Sequence, residues 1–375
     1  MTIVIAAGGT GGHLYPAVAL AREFQRRDPA VRILFVGTKR GLESKVLAHE
    51  QLELALISAK PVMGTGPLGV LKGLAAMPLS LWQCLTILRQ RRVRLVIGVG
   101  GYTSPMMVMA AAVTGTARVI LEPNAHPGLA NKAVGAFAQR VFLAFDSAAG
   151  AFDRAKVRVV GTPIRRAFLE RAAQSASLAG GRSGRGHLLV FGGSQGAKAI
   201  NSAMIDALPI LRQQGPLVIT HQTGEADHTR VADAYRQAGV AATVVPFIYD
   251  MPAAITQADL VVARSGAMTV AEVTTCGKPA VLIPLPTAIY DHQMKNARVL
   301  EQAGGAVILP QADLSGTRLA QAISGILGDP ARLQAMGAAS MTLKRTDAAE
   351  AIVRECYALI GDAHDDHQSI GAAGV

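Results

Sequence analysis

Short runs of β-branched and aliphatic residues alternate along the chain with longer segments whose apolar residues recur at helical spacing. Residues 2–7, 31–37, 94–99, 119–121, 141–144 and 157–160 read as strands buried on both faces of a parallel sheet, because such strands are apolar without alternation. The pattern then restarts at 187–191, 217–220, 243–245, 260–263 and 280–283. Strands alternating with helices predict an α/β fold of doubly wound parallel sheets, and the restart predicts two such domains. The length of 375 residues agrees, since single cores stop growing below that size. Gly161-Thr162-Pro163 marks the hinge, giving residues 1–162 and 163–345 as the two Rossmann-like units. The Ser/Gly/Ala-rich stretch 174–186 reads as an exposed loop, 346–360 as an amphipathic helix, and 362–375 as a disordered tail.

Two charge-free stretches test for membrane spans. Residues 73–88 are too short and contain Pro78; residues 95–117 are interrupted by Gly98, Gly100, Gly101, Ser104 and Pro105. A span wants about 20 continuous apolar residues, so the second reads as strand, loop and buried helix. The apolar run 3–7 leads into glycines and is too short for a signal peptide.

The net charge of +11 is uneven. Residues 1–166 hold 21 Lys+Arg against 8 Asp+Glu, and the remainder holds 16 against 18. A basic half suggests a nucleic acid, an anionic membrane or an acidic substrate. With 4% aromatics and none interleaved with the basic residues, no nucleic-acid partner is expected. The three cysteines, Cys84, Cys276 and Cys356, are isolated, which fits neither a metal site nor a disulfide framework.

Chemistry concentrates where predicted strands end. Gly8-Gly9-Thr10-Gly11-Gly12-His13 joins the first strand to a helix, and glycines there allow close backbone approach while the helix start attracts anions. It fails the dinucleotide fingerprint, because Leu14 replaces the third glycine and no acid follows the second strand. His13 at this helix start is disfavoured as imidazolium and so suits a general base; a capping or packing role is the plainer alternative. Gly192-Gly193-Ser194-Gln195-Gly196-Ala197 repeats the strand-to-helix turn, with the Ser194 hydroxyl available to a phosphate. Ser265 reads as the N-cap of a helix whose amides can hold a diphosphate, with Glu272 two turns in, able to accept both ribose hydroxyls. Gln293 and Asn296 share a helix face at i, i+3 and suit sugar hydroxyls. Gly100-Gly101-Tyr102-Thr103-Ser104 and Glu122-Pro123-Asn124 also fall at strand ends. No D-x-D pair stands where a metal would bridge a diphosphate, and the His364 to His367 cluster reads as solvated tail; no metal and no cofactor are expected.

These motifs, GGTGGH, GGYTS, GGSQGA, RSGAMTVAE and DHQMKNA, occur in order from about residue 2 to 361, and the chain resembles the MurG family of glycosyltransferases. The resemblance implies a GT-B fold, two Rossmann-like domains facing a cleft, with the final helix (346–361) crossing back to the first. It implies transfer of N-acetylglucosamine from UDP-N-acetylglucosamine to lipid I, an undecaprenyl-pyrophosphate acceptor, to give lipid II for peptidoglycan. It places Thr10, Gly11 and Gly12 at phosphates and Tyr102 in the tyrosine loop of the site. Asn124 falls at the N-acetylglucosamine, Arg165 at the nucleotide, and Ser194 and Gln195 at phosphate. Ile248 falls at uracil, Ala267, Met268, Thr269, Val270, Ala271 and Glu272 at diphosphate and ribose, and Gln293 and Asn296 at the sugar. Two departures stand out: Leu121 precedes Glu122 where the family often has histidine, and Pro105 is followed by Met106 where the family has Gly-Pro.

The expected chemistry is an inverting displacement, with His13 or Glu122 as the base. An anionic membrane surface is a further expected partner: Leu71, Leu74, Met77, Leu81, Trp82 and Leu85 lie among Lys72, Arg89, Arg91 and Arg92, as in an interfacial patch. Buried core helix is the alternative there. The expected location is the cytoplasmic face of the cell membrane, with cell-wall synthesis proteins as candidate partners. Competing functions are a UDP-N-acetylglucosamine 2-epimerase, a non-catalytic nucleotide-sugar sensor, and an oxidoreductase disfavoured by the failed fingerprint.

Overall fold

A computed structural model describes residues 1–8, 11–38, 43–59, 66–177 and 186–361. Seven parallel strands form the first sheet: β1 (Thr2–Ala7), β2 (Arg32–Gly37), β3 (Glu53–Leu56), β4 (Val93–Gly100), β5 (Ala117–Glu122), β6 (Arg140–Leu143) and β7 (Val157–Val159), in the order β3-β2-β1-β4-β5-β6-β7. Six form the second: β8 (Gly186–Phe191), β9 (Leu217–Gln222), β10 (Ala242–Val245), β11 (Leu260–Ala263), β12 (Ala280–Leu282) and β13 (Ala306–Ile308), in the order β10-β9-β8-β11-β12-β13.

The continuous apolar runs follow from burial on both faces. Ile3, Ile5 and Ala7 of β1 enter one core while Val4 and Ala6 enter the other, all at most 1% exposed. In β8, Leu188 and Val190 face one core and Leu189 and Phe191 the opposite one. Each such Val, Leu or Ile contributes about 1.5–3 kcal/mol. The strands β3 and β13 do not appear among the runs read from the sequence. Both are edge strands of three or four residues, and an apolar run that short does not by itself tell a strand from a buried helix segment.

The stretch 95–117 resolves into the end of β4, the helix Thr103–Thr114 and the start of β5. The helix Gly66–Gln90 runs through Pro78. Among the described residues, no helix is long and apolar enough to cross a membrane. Residues 178–185 of the Ser/Gly/Ala-rich stretch and the tail 362–375 lie outside the described residues.

The last helix, Ala348–Ile360, packs on the helix Gly11–Arg27 of the first sheet. Phe24 meets Tyr357 edge to face at 5.6 Å, and Ile352, Val353 and Cys356 complete the same core. Glu355 reaches Arg140 Nε at 3.3 Å, and Arg94 Nη2 donates to the Ile360 carbonyl at 3.0 Å.

Strand order reverses between β1 and β4 in the first sheet and between β8 and β11 in the second. Helices diverge at such points and leave a crevice beyond the strand C-termini, where open α/β sheets bind ligands. The two crevices face one another.

Candidate active site

The first-sheet wall is built by glycines that let two turns touch. A Cβ at Gly101 (φ +75°) would fall onto the carbonyl of Gly8, and one at Gly100 (φ +127°) would stand 2.8 Å from the His13 ring. The imidazole therefore packs directly against the β4 turn. His13 is the third residue of the helix Gly11–Arg27, whose first residues are Gly11 and Gly12. Burial lowers its pKa below the ordinary histidine value; Glu122 opposes that shift and His292 adds to it. The ring is thus neutral and basic at neutral pH. Tyr102 lines the cleft with its hydroxyl 3.2 Å from Thr38 Oγ1. Thr10 lies outside the described residues.

Glu122 ends β5 and is 1% exposed. Its Oε1 accepts from the Asn124 backbone N–H (2.9 Å) and Nδ2 (3.0 Å), and its Oε2 from the Gly128 N–H (2.9 Å) and Asn131 Nδ2 (3.0 Å). Four donors occupy this carboxylate, so it organises the loop after β5 and presents Asn124 to the cleft.

The second-sheet wall uses the same turn chemistry. At Gly196 (φ +72°) a Cβ would land on the Thr223 carbonyl, and at Gly224 (φ +79°) on the Gln195 carbonyl. The close approach leaves Ser194 and Gln195 exposed at the cleft rim. Gly196→Ala is expected to destabilise the protein by more than the about 1–2 kcal/mol that the left-handed conformation alone costs an L-residue. It should also weaken UDP binding. Gly239→Ala, at φ +62° with nothing within 4 Å, isolates the conformational cost. Melting curves and UDP calorimetry on the pair check this; equal effects would show that the close approach is unimportant.

The helix Ala267–Thr275 is capped by Gly266, with no side-chain cap, and not by Ser265. Ser265 Oγ instead donates to the Gln293 carbonyl at 2.8 Å, joining this helix start to that of His292–Gln302. Ala267 and Met268 line the cleft and Thr269 follows them, while Val270 is core and Ala271 packs against it. Glu272 lines the cleft at 6% exposure, and burial raises its carboxyl to a pKa of about 7 against the pull of Arg165. Arg165 Nη2 lies 3.6 Å from Glu272 Oε1. Ile248 and Gln293 also line the cleft, the latter with Oε1 accepting from the Leu285 N–H at 3.0 Å.

Asn296, fully buried, lies behind the cleft wall and ties the two units together. Its Oδ1 accepts from the Ala125 N–H at 2.8 Å, and its Nδ2 donates to Asn124 Oδ1 (3.2 Å) and the Ser265 carbonyl (3.3 Å). The cleft is about 1810 Å³ and is lined from both units. Lining residues outside the motifs include Tyr15, Phe247, Tyr249 and Tyr290. Only their aromatic character marks them in the sequence. Arg264, just after β11, holds the loop after β12 through the carbonyls of Ile283 (3.0 Å) and Pro284 (3.1 Å), and the segment after β13 through Gln311 Oε1 (2.6 Å). Among the described residues no three His, Cys, Asp or Glu side chains converge as a metal site.

Two facing parallel sheets, a helix start without a side-chain cap beside a buried carboxyl, and a histidine across the cleft define a two-domain nucleotide-sugar enzyme. Residues 3–143 match the glycosyltransferase family 28 N-terminal domain and residues 187–352 its C-terminal domain. A Syntrophus aciditrophicus protein named UDP-N-acetylglucosamine–N-acetylmuramyl-(pentapeptide) pyrophosphoryl-undecaprenol N-acetylglucosamine transferase is 47% identical over 96% of this chain and 98% of its own. A Myxococcus xanthus protein of the same name is 42% identical over 96% and 93%. The crystal structure of Acinetobacter baumannii MurG superposes with a TM-score of 0.77 at 30% identity, covering 95% of this chain and 99% of that one. A UDP-N-acetylglucosamine 2-epimerase, 14% identical with a TM-score of 0.66 over 98% of this chain and 99% of its own, shares the fold alone. The chain belongs to glycosyltransferase family 28 and, within it, to the MurG transferases.

Proposed function

We propose that this chain transfers N-acetylglucosamine from UDP-N-acetylglucosamine to the 4-hydroxyl of the muramyl sugar of undecaprenyl-pyrophosphate-linked lipid I, with inversion, giving lipid II. The observation that carries this reading is the single cleft into which His13 projects from one wall and Glu272 with the Ala267 helix start from the other. The 4-oxygen of the acceptor forms its bond to the anomeric carbon as the bond from that carbon to the UDP oxygen breaks. His13 Nε2 or Nδ1 takes the hydroxyl proton, and the Glu122 anion stabilises the resulting imidazolium from nearby. Charge gathers on the departing UDP, against which the amides at Ala267 and the Gly192 turn are directed. Glu272 accepts the ribose hydroxyls, and Gln293 and Asn124 hold the sugar.

The acceptor is lipid-linked, so the first unit meets an anionic membrane surface at its cytoplasmic face. On the helix Gly66–Gln90, Leu79 and Trp82 are 50% and 63% exposed, and Arg89, Arg91 and Arg92 are exposed at its end. Apolar side chains beside cations suit that interface. Met77, Leu81 and Leu85 pack against the core instead, and the side chains of Leu71, Lys72 and Leu74 lie outside the described residues.

The test is UDP release from UDP-N-acetylglucosamine with and without a short-chain lipid I analogue. Release that needs the analogue, with a β-1,4-linked disaccharide product, is expected. Release without acceptor would favour an epimerase or hydrolase, and UDP binding without release a sensor.

A further inference from the structure

Tyr15 belongs to none of the five motifs, yet it lines the cleft two residues after His13 on the helix Gly11–Arg27. Its ring lies under the guanidinium of Arg165, with Cζ 4.8 Å from the ring centroid. Phe168, from the helix Arg166–Ser177, sits 5.2 Å from the same carbon. The guanidinium is therefore held between an aromatic ring of the first unit and one of the second. Its edge faces Glu272, with Nη2 3.6 Å from Oε1, and its Nε is buried without a hydrogen-bond partner. The two rings and the Glu272 carboxylate are the contacts that fix this cation.

We propose that Tyr15 is a donor-positioning residue, whose ring holds Arg165 beside Glu272 and thereby sets the carboxylate that receives the ribose. The inference rests on Glu272 acting as the ribose acceptor. Arg165 is the cation that faces Glu272; the other titratable groups around it, Tyr15 and Cys276, are neutral at pH 7, both raised by burial. A guanidinium released from the Tyr15 ring turns toward water, since its side chain already keeps 27% exposure. Glu272 then loses the cation that opposes its burial, and it takes up its proton at a higher pH than in the wild type.

The sign of the pH effect follows. The carboxylate accepts two ribose O–H groups, whereas the protonated acid accepts them poorly. Donor KM therefore falls as pH rises through about 7 in the wild type, and weakening the hold on Arg165 moves that window upward. The donor does not titrate there, because each phosphorus of a nucleotide sugar carries one ester and one anhydride oxygen and so has only one, strongly acidic, ionisation.

Tyr15→Leu is expected to raise donor KM about tenfold at pH 7, in keeping with the loss of a partly desolvated cation–π contact, and to move the midpoint of the KM profile up. Tyr15→Phe should restore both values, because the ring and not the hydroxyl does the holding. Calorimetry of UDP-N-acetylglucosamine binding without acceptor, from pH 6 to 9, reads the same effect without the transfer step, so absence of transfer activity, which would defeat the functional reading, is separable from failure of this inference. Tyr15→Met replaces the leucine variant if that melts early. A wild-type donor KM and midpoint in the leucine or methionine variant would overturn the proposal, as would failure of phenylalanine to restore them. A double variant with Arg165→Gln should show no added effect of Tyr15→Leu; full additivity would also overturn it.

Discussion

His13→Ala is expected to reduce turnover by about 10²–10⁴-fold, the range for loss of a general base, while leaving UDP affinity within about twofold, because the ring faces the wall opposite Glu272 and the Ala267 helix start. Three features suit this ring to take the proton. Its plane is fixed against Gly100, where no side chain has room. Burial holds the imidazole neutral in the resting site, with its pKa below 6.5. The buried Glu122 carboxylate raises that pKa again, so the imidazolium formed in the transition state is not stranded. A lowered pKa also sets the acid limb of the rate profile: turnover holds as pH falls to the ordinary histidine range and drops only beneath it. Steady-state rates and UDP calorimetry on His13→Ala and His13→Gln check the assignment. Turnover within threefold of wild type would remove His13 as the base.

Glu122→Ala is expected to lower stability by about 3–5 kcal/mol, the cost of removing one side of a buried, charge-assisted network. At about 2–4 °C per kcal/mol for a domain of this size, the melting temperature should fall by roughly 6–20 °C. Four donors converge on the Glu122 carboxylate, from Asn124, Gly128 and Asn131, and alanine removes that acceptor at a position 1% exposed, leaving only Asn131 Nδ2 with its second bond, to the Leu121 carbonyl. Glu122→Gln keeps one acceptor oxygen but points an NH₂ at two of the donors, so it should also destabilise, by less. Loss of the loop frees Asn124 from Asn296, and donor KM should rise with the melting defect. Thermal melts of both variants decide the matter. An unaltered melting temperature together with a turnover loss as large as that of His13→Ala would instead make Glu122 the base.

The central strands were legible in the sequence because parallel strands sandwiched by helices are apolar along their buried length, as residues 3–7 of β1, 95–100 of β4, 188–191 of β8 and 260–263 of β11 are. The edge strands β3 and β13 were passed over although Leu54-Ala55-Leu56 and Ala306-Val307-Ile308 are apolar, because so short an apolar run does not by itself separate a strand from a buried helix segment. The glycine turns announced themselves for a local reason: positive φ and backbone contact at Gly101 or Gly196 are demands that a single residue type meets. His13 could be named because it closes a glycine turn at a helix start, Glu272 because it lies two turns into the helix after a strand end, and Gln293 because it shares a helix face with Asn296.

Other features of the site depend on how the two sheets face each other, and offset along the chain carries no information about that. Asn296 bonds to Ala125 across 171 positions, and Arg165 lies between Tyr15 and Glu272 only because the helices Gly11–Arg27 and Ala267–Thr275 meet. Glu122 reads in the sequence as an available carboxylate at a strand end; the loop folded around it uses all of its acceptor capacity. The sequence by itself determined which segments are buried and where the backbone must turn, because those are properties of each residue's own conformation and hydration. The tertiary structure decided which polar groups are consumed in holding the cleft and which are left to face a ligand, because hydrogen bonds and charge pairs depend on distances that only the packed fold sets.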